Sequence, residues 1–309
     1  MLLNNMSLMM RKVVQQGPAT LMISLPSKWV KENNVEKGAE LELTEEKGKL
    51  TLTVENKTHT RMTKDIHANN IGILNEYFVN YFYQKGYDEV TFRYDDPKCT
   101  DIIEKRAKQM IGFEVVEKGK NFTTLKMLMN IDQQEFATVL KKLFQITLVM
   151  GDKITDALEK DNVLLFDEII QDEKENNKYS DLCIRILHKN KYKYPENGFA
   201  LYSLLRELEQ IGDVYKALAR EFEGTKIKNK EIMALYKQVH SYFRLYYELY
   251  YCYDAQKIQR FFQMKNELHT ACEQHLVAAK KEDTIIISHL MTLTNKIFDL
   301  KGVLFLQQL

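Results

Sequence analysis

The chain has 309 residues, 45% of them hydrophobic and 28% charged, with a net charge of +1. That length allows two or three domains with cores of their own, and a balance so near neutrality names no charged partner. Cys99, Cys183, Cys252 and Cys272 form no CxxC pair and no repeated His spacing accompanies them, which argues against a disulfide frame or zinc knuckle and for reduced thiols in a cytoplasm. The opening MLLNNMSLMM lacks a basic residue ahead of its apolar part and is too short to span a bilayer, so it reads as an extension. No later apolar run approaches the roughly 18 residues of a spanning helix, and no membrane insertion is expected.

Arg11 to Gln16 are expected to form a short strand. Gly17-Pro18 turns it into a second, Thr20 to Leu25, with Leu21, Ile23 and Leu25 alternating against Thr20, Met22 and Ser24. Pro26 gives a ladder no N–H, but its fixed φ suits a first helical turn, so Ser27 to Asn33 reads as a short helix. That helix carries Trp29, the single tryptophan, whose expected place is a small core. Lys37-Gly38 turns the chain again. Leu41/Leu43 and Leu50/Leu52/Val54 predict two more strands around the turn Glu45-Glu46-Lys47-Gly48. Four short strands and one helical turn bury too little to offset an ordering cost of about 1.5 kcal/mol per residue, so a homodimer sharing one core is expected here.

Charge is uneven along this region. Residues 1–31 hold Arg11, Lys12, Lys28 and Lys31 and no acid, whereas Glu32 to Glu55 hold seven glutamates. A symmetric dimer would double the basic edge, which suits a phosphate backbone. Gln15, Gln16 and Thr20 beside it are neutral groups for base edges or phosphates. The competing reading is a solvated strand end that happens to lack acids.

The stretch RKVVQQGPATLMISLPSKWVKENNVEKGAELEL resembles the AbrB/MazE/SpoVT swapped-hairpin domain in its basic strand, Gly turn, SLPxxWV and xxGxxL. The resemblance implies an intertwined homodimer that binds DNA through its basic strand and loop, with Arg11, Lys12, Gln15, Gln16, Thr20 and Lys28 at the contact. The variant with SLP and Trp is similar to the one fused to PhoU-like proteins, mostly archaeal.

Further along, apolar positions 66, 71, 74, 78 and 82 predict a helix from Ile66 to Gln84, stopped by Lys85-Gly86. A strand Val90 to Tyr94, a helix Asp101 to Met110 and strands Phe113 to Val116 and Phe122 to Leu128 should follow. This α/β stretch has no Gly-rich phosphate loop and no nucleophile–base pair, so a spacer or dimer-supporting role is expected. KGYDEV and QMIGFEVVEK are similar to the connector of the same AbrB–PhoU family.

From residue 130 onward Pro195 is the only proline, and apolar positions repeat at helical spacing. Phe136, Val139, Leu140, Leu143, Phe144, Thr147, Ile154, Ala157 and Leu158 line one face of a first helix. Leu201, Leu204, Leu205, Leu208, Gly212, Tyr215, Leu218, Ala219 and Phe222 do so for a third. Breaks are expected at Lys160-Asp161-Asn162, Pro195-Glu196-Asn197-Gly198, Gly224-Thr225, Asp254 and Glu282-Asp283. Six long antiparallel helices result, in halves of about 132–224 and 229–309. The run SYFRLYYELYYCY fits one buried face with a Tyr-rich flank rather than a ligand cage, and the scattered His188, His240, His269, His275 and His289 form no catalytic spacing.

RELEQIGD, Arg206 to Asp213, resembles the ELERIGD signature of PhoU proteins, and DALEKDNVLLFDEIIQDEKENNKYSDLCIRIL is similar to the helix pair before it. The resemblance implies a helical regulator of phosphate uptake, some of whose relatives hold metal on paired E/DxxxD motifs. Glu209 and Asp213 match such a motif; the preceding helix offers Asp172 and then the neutral Asn176. The second half has Gln263/Glu267 and Asn295/Asp299 where acids would stand. Asp172, Glu209 and Asp213 would therefore hold one divalent metal ion weakly. A purely structural pairing with Arg206 and Lys216 on the same helical strip competes with that reading.

The expected fold class is multi-domain α+β: a swapped-hairpin β module at 8–62, a small α/β connector at 63–128, and an antiparallel six-helix PhoU-like bundle at 130–309. The expected function is a cytoplasmic DNA-binding regulator of phosphate uptake and not an enzyme, with DNA and a second copy of the chain as partners. An adaptor that contacts a phosphate-transporter ATPase or a sensor kinase, and uses the hairpin module only to dimerise, is the alternative.

Overall fold

Gly17, at φ +79°, turns β1 (Val14–Gln15) back onto β2 (Leu21–Met22) with Val14 opposite Met22 and Gln15 opposite Leu21. The computed structural model describes residues 10–46, 48–54, 61–68, 75–129, 135–189, 197–225 and 229–306. The chain divides into two compact units, Met1–Thr60 and Arg61–Leu309. The opening extension up to residue 9 lies outside the described residues.

In the first unit, Pro26 precedes α1 (Ser27–Glu32) in extended conformation, at a position where its locked φ is allowed and its missing N–H leaves no helical bond unmade. The hairpin of β3 (Leu41–Glu46) and β4 (Lys49–Val54) pairs Leu41 with Val54 through to Glu46 with Lys49. The first two strands are shorter than the alternation predicts. Within one chain the ladder reaches only two residue pairs, because a strand needs a neighbour along its whole length. No described residue of this unit is buried. Leu21 is 70% and Ile23 53% exposed, while Leu25 and Trp29 are half-buried.

The second unit opens with a four-stranded sheet in the order β5-β6-β8-β7. β5 (Thr63–His67) runs parallel to β6 (Glu89–Arg93), with the other pairs antiparallel: β8 (Phe122–Met127) lies between β6 and β7 (Phe113–Lys118). A parallel pair needs a crossover, which α2 (Glu76–Gln84) supplies. α3 (Lys98–Ala107) packs beside it. This corrects the expected helix from Ile66: Ile66 is paired with Phe92 in the sheet, and the helix starts at Glu76, capped by the Asn75 side chain. Positions 71 and 74 lie outside the described residues. Val90, Phe92, Phe113 and Leu125 of the sheet are buried, as are Val79, Tyr83 and Ile103 of the two helices.

Six long helices follow: α4 (Phe136–Lys160), α5 (Leu164–Lys189), α6 (Gly198–Thr225), α7 (Lys230–Tyr251), α8 (Ala255–Ala278) and α9 (Lys281–Asp299). A short α10 (Lys301–Leu306) ends the described chain. α4, α5 and α6 pack against one another, as do α7, α8 and α9, and the α6–α9 and α4–α7 contacts join the two triplets. The predicted faces are the packed ones: Leu143, Phe144 and Ile154 on α4, and Leu204, Leu208, Tyr215 and Leu218 on α6, are fully buried. Tyr242, Phe243 and Tyr246 are buried too. Tyr242 stacks on Phe261 at 4.5 Å, so the tyrosine-rich run is core as expected.

Local chemistry explains the joints. Asp161 takes a left-handed conformation at φ 51° to end α4, and the Asp254 side chain caps α8 by accepting from Lys257 N–H at 2.8 Å. The break expected at Glu282-Asp283 falls earlier, at Ala279-Lys280. Acids are favoured in the first turn of a helix, so this pair marks the start of α9 and not the loop before it. Residues 195 and 196 of another expected break lie outside the described residues.

Candidate functional site

Two groups of side chains carry the candidate chemistry. In the first unit, Gln16 N–H donates to Thr20 O at 2.8 Å and closes the turn at Gly17. The hairpin therefore holds Gln15 and Gln16 on its outgoing arm and Thr20 on its return, with Arg11 and Lys12 leading into it. Lys28 stands on α1. All six residues are exposed. Lys28 faces Glu32 at 3.9 Å, one helical turn away, and both side chains are largely in water. Such a pair is weak and easily screened, which leaves Lys28 open to exchange its carboxylate for another anion.

The second group is the carboxylates of the bundle. Asp172 on α5 meets Lys153 of α4 at 2.8 Å, and Lys153 also reaches Glu168 at 2.9 Å. On α6, Glu209 is held by Arg206 one turn before it, and Asp213 by Lys216 at 2.9 Å. Lys216 bridges on to the buried Glu173 of α5 at 2.7 Å. Burial pushes the Glu209 carboxyl above its ordinary range despite the pull of Arg206. Among the described residues no three His, Cys, Asp or Glu side chains stand where they could share a metal ion. Each of Asp172, Glu209 and Asp213 is paired with a cation, and Lys153 and Lys216 are each shared with a second carboxylate.

Asn176, the neutral residue in the α5 motif, has a packing role. It is fully buried, donates from Nδ2 to Thr147 Oγ1 at 2.8 Å, and lies against Gly212 of α6. A Cβ at Gly212 would stand 3.0 Å from Asn176 Cγ. A carboxylate there would hold its charge fully buried against α6, so a neutral amide fits the helix–helix approach.

Two further polar groups escape a reading by motif. His240 is buried between Tyr215 and Asp152, with Nδ1 to Tyr215 Oη at 2.8 Å and Nε2 to Asp152 Oδ1 at 2.9 Å. The other is Asp181, Arg185 and Lys189 on α5, whose partners lie in the α/β segment. The available signal was a charge at every fourth position of the otherwise apolar DLCIRILHK.

The architecture defines a class: a small β-hairpin unit with nothing buried among its described residues, an α/β segment and an antiparallel helical bundle. The comparisons make it specific. Residues 14–58 match the family described as "Antidote-toxin recognition MazE, bacterial antitoxin", and residues 140–222 match the PhoU domain. The chain thus carries a MazE/AbrB-like domain at its N terminus and a PhoU domain in its bundle. The crystal structure of the phosphate transport system regulatory protein PhoU from Streptococcus pneumoniae is similar at 15% identity and a TM-score of 0.45, over 57% of this chain and 94% of that one. No curated protein matches. Both families are regulatory rather than enzymatic, and their combination fits a phosphate-related regulator. No helix among the described residues is long and apolar enough to cross a membrane.

Proposed function

We propose that the chain is a cytoplasmic homodimer that binds DNA through its N-terminal hairpin and regulates phosphate uptake, with the bundle as the part that senses or contacts a partner. The observation that carries this reading is the acid-free exposed hairpin: Arg11, Lys12, Gln15, Gln16, Thr20 and Lys28 all face solvent in a unit none of whose described residues is buried. A unit so thin lacks a core of its own, and a second copy would both supply one and double the basic edge. The MazE-type match supports the dimer, and the PhoU match supports the link to phosphate transport.

The alternative is an adaptor acting on a transporter ATPase or a kinase through the bundle alone. It has no use for an acid-free edge. Titration of labelled genomic fragments over a range of salt concentrations separates the two. Each phosphate contact should contribute about −0.9 to the slope of log K against log salt. Arg11→Ala with Lys12→Ala should flatten the slope and leave the helical circular dichroism unchanged. No binding at low salt, or an unchanged slope, overturns DNA recognition by this edge and favours the adaptor.

A further inference from the structure

α5 ends in a polar strip. Asp181, Arg185 and Lys189 recur at every fourth position and share one face, while Leu182, Cys183, Ile184, Ile186 and Leu187 around them are buried. Asp181 accepts from Asn80 Nδ2 at 2.9 Å, Gln84 Nε2 at 2.6 Å and Arg106 Nη2 at 2.6 Å. The Arg185 side chain is 2% exposed. Its Nη1 donates to the carbonyls of Tyr83 at 2.9 Å and Tyr87 at 2.7 Å, where α2 ends, and its Nη2 donates to Asp88 Oδ1 at 2.8 Å. The guanidinium stands 5.1 Å from the centre of the Tyr83 ring.

Asp88 is the hub. Oδ1 takes both Arg185 and the ammonium of Lys189. Oδ2 accepts the N–H of Met62 at 3.0 Å, and the Asp88 N–H donates back to Met62 O at 2.7 Å. Lys189 also packs its stem over Gly86, where a Cβ would meet Lys189 Cγ at 2.8 Å; at φ +90° that glycine allows the close approach. Met62 is the second residue of the second unit, directly after the point where the N-terminal unit ends.

A buried ionic network is weak evidence for stability, since apolar residues of similar volume often serve as well or better. What it supplies here is geometry. The arginine fork satisfies two carbonyls and a carboxylate only in one placement of α5, and that carboxylate fixes the backbone of Met62.

We propose that the Asp181–Arg185–Lys189 strip is a coupling element, through which a displacement of the last turns of α5 is passed by Asp88 to the backbone at Met62, where the second unit begins. The strip and the backbone it holds lie wholly within the second unit. Only its consequence for DNA rests on the regulator reading. α5 also carries Asp172 and Glu173, so whatever competes for the lysines paired with them acts on the same helix.

Amide hydrogen exchange on the full chain tests the coupling. Asp88→Asn is nearly isosteric, but its amide must turn an NH2 group toward either the cations or the Met62 N–H. Exchange over residues 61–67 should rise about tenfold, the effect of losing one charge-assisted bond, with α6 and α9 unchanged. Lys189→Met should raise exchange over the same residues, and should add nothing once Asp88 is already Asn, because the two share one interaction. Unchanged exchange over 61–67 in Lys189→Met, or fully additive effects, overturns the proposal. Where Asp88→Asn loosens the whole bundle, the Lys189→Met result alone decides. Wild-type chain that binds no DNA overturns the regulator reading and leaves the exchange result intact.

Discussion

Gly151 lies in the interior of α4, where replacing glycine by alanine ordinarily gains about 1 kcal/mol. Here the sign should reverse. A Cβ at Gly151 would stand 2.2 Å from His240 Nδ1 and 2.3 Å from Cε1, closer than carbon can approach a ring. The ring is held in place. The Asp152 carboxylate only accepts, so it fixes the proton of the neutral ring on Nε2 and leaves Nδ1 to accept from the Tyr215 hydroxyl. Arg244 also holds Asp152, at 2.6 Å. Tyr236 lies parallel to the imidazole, 6.2 Å away, and donates to Gly151 O at 2.7 Å.

Moving the ring would orphan the buried Tyr215 hydroxyl, at about 1–3 kcal/mol, and overpacking adds about 1–3 kcal/mol. After the gain in helix propensity, Gly151→Ala should destabilise the bundle by about 3 kcal/mol. Urea unfolding followed by circular dichroism measures it. The control is His240→Ala, which removes the obstacle; in that background Gly151→Ala should become neutral or mildly stabilising. A stabilising Gly151→Ala in the wild-type chain, or an equal loss with and without His240, refutes the reasoning.

Ile23→Asp should abolish the dimer, because it places a charge without a partner in the core that two hairpins are proposed to share; a stable dimer of this variant in sedimentation would refute that core. For Asp88, burial alone would push the carboxyl up, but the hydrogen bonds of Lys189 and Met62 N–H and the charges of Lys189 and Arg185 hold it below its ordinary range. Its stabilising contribution is then complete above the unfolded pKa of about 3.9 and disappears as pH falls through the lower folded value. Urea midpoints of wild type and Asp88→Asn should converge below that pH, and a gap that widens there contradicts the assignment. Asp172, Glu209 and Asp213 are each paired with a cation and do not converge on one metal position, so chelation should leave the unfolding midpoint unchanged; elemental analysis showing two or more tightly held divalent ions per chain would overturn this expectation.

The bundle was the most legible part of the sequence because a buried helical face repeats over many turns, and few alternative patterns place Leu201, Leu204, Leu205 and Leu208 together. Strand lengths were less legible. Alternation from Thr20 to Leu25 shows which residues are able to pair, whereas a ladder depends on the neighbour available, and one chain supplies it only for Leu21 and Met22. Ile66 carries no strand signal of its own: the short strand parallel to β6 shows no alternation, and a lone β-branched residue fits a helical spacing as well as a strand. His240 and Arg185 were hidden for a different reason. Their partners, Tyr215 and Asp152 for one and Tyr83, Tyr87 and Asp88 for the other, are distant in sequence, and no local spacing encodes such contacts.

A motif reading counts carboxylates, while the structure shows what each one faces. Asp172 has Lys153, Glu209 has Arg206, and Asp213 shares Lys216 with Glu173. A cation entering this seam must displace an ammonium or guanidinium already in place, and gains only the difference between the two interactions. An anion faces the opposite balance, since it would compete with the carboxylates for Lys153 and Lys216. At Asp172 and Glu173 the ligand would exchange partners of α5 residues, so its effect there would be a change in how α5 is held. Because Arg185 and Lys189 stand on that helix and grip Asp88, the end of α5 is where such an exchange would become a displacement at Met62.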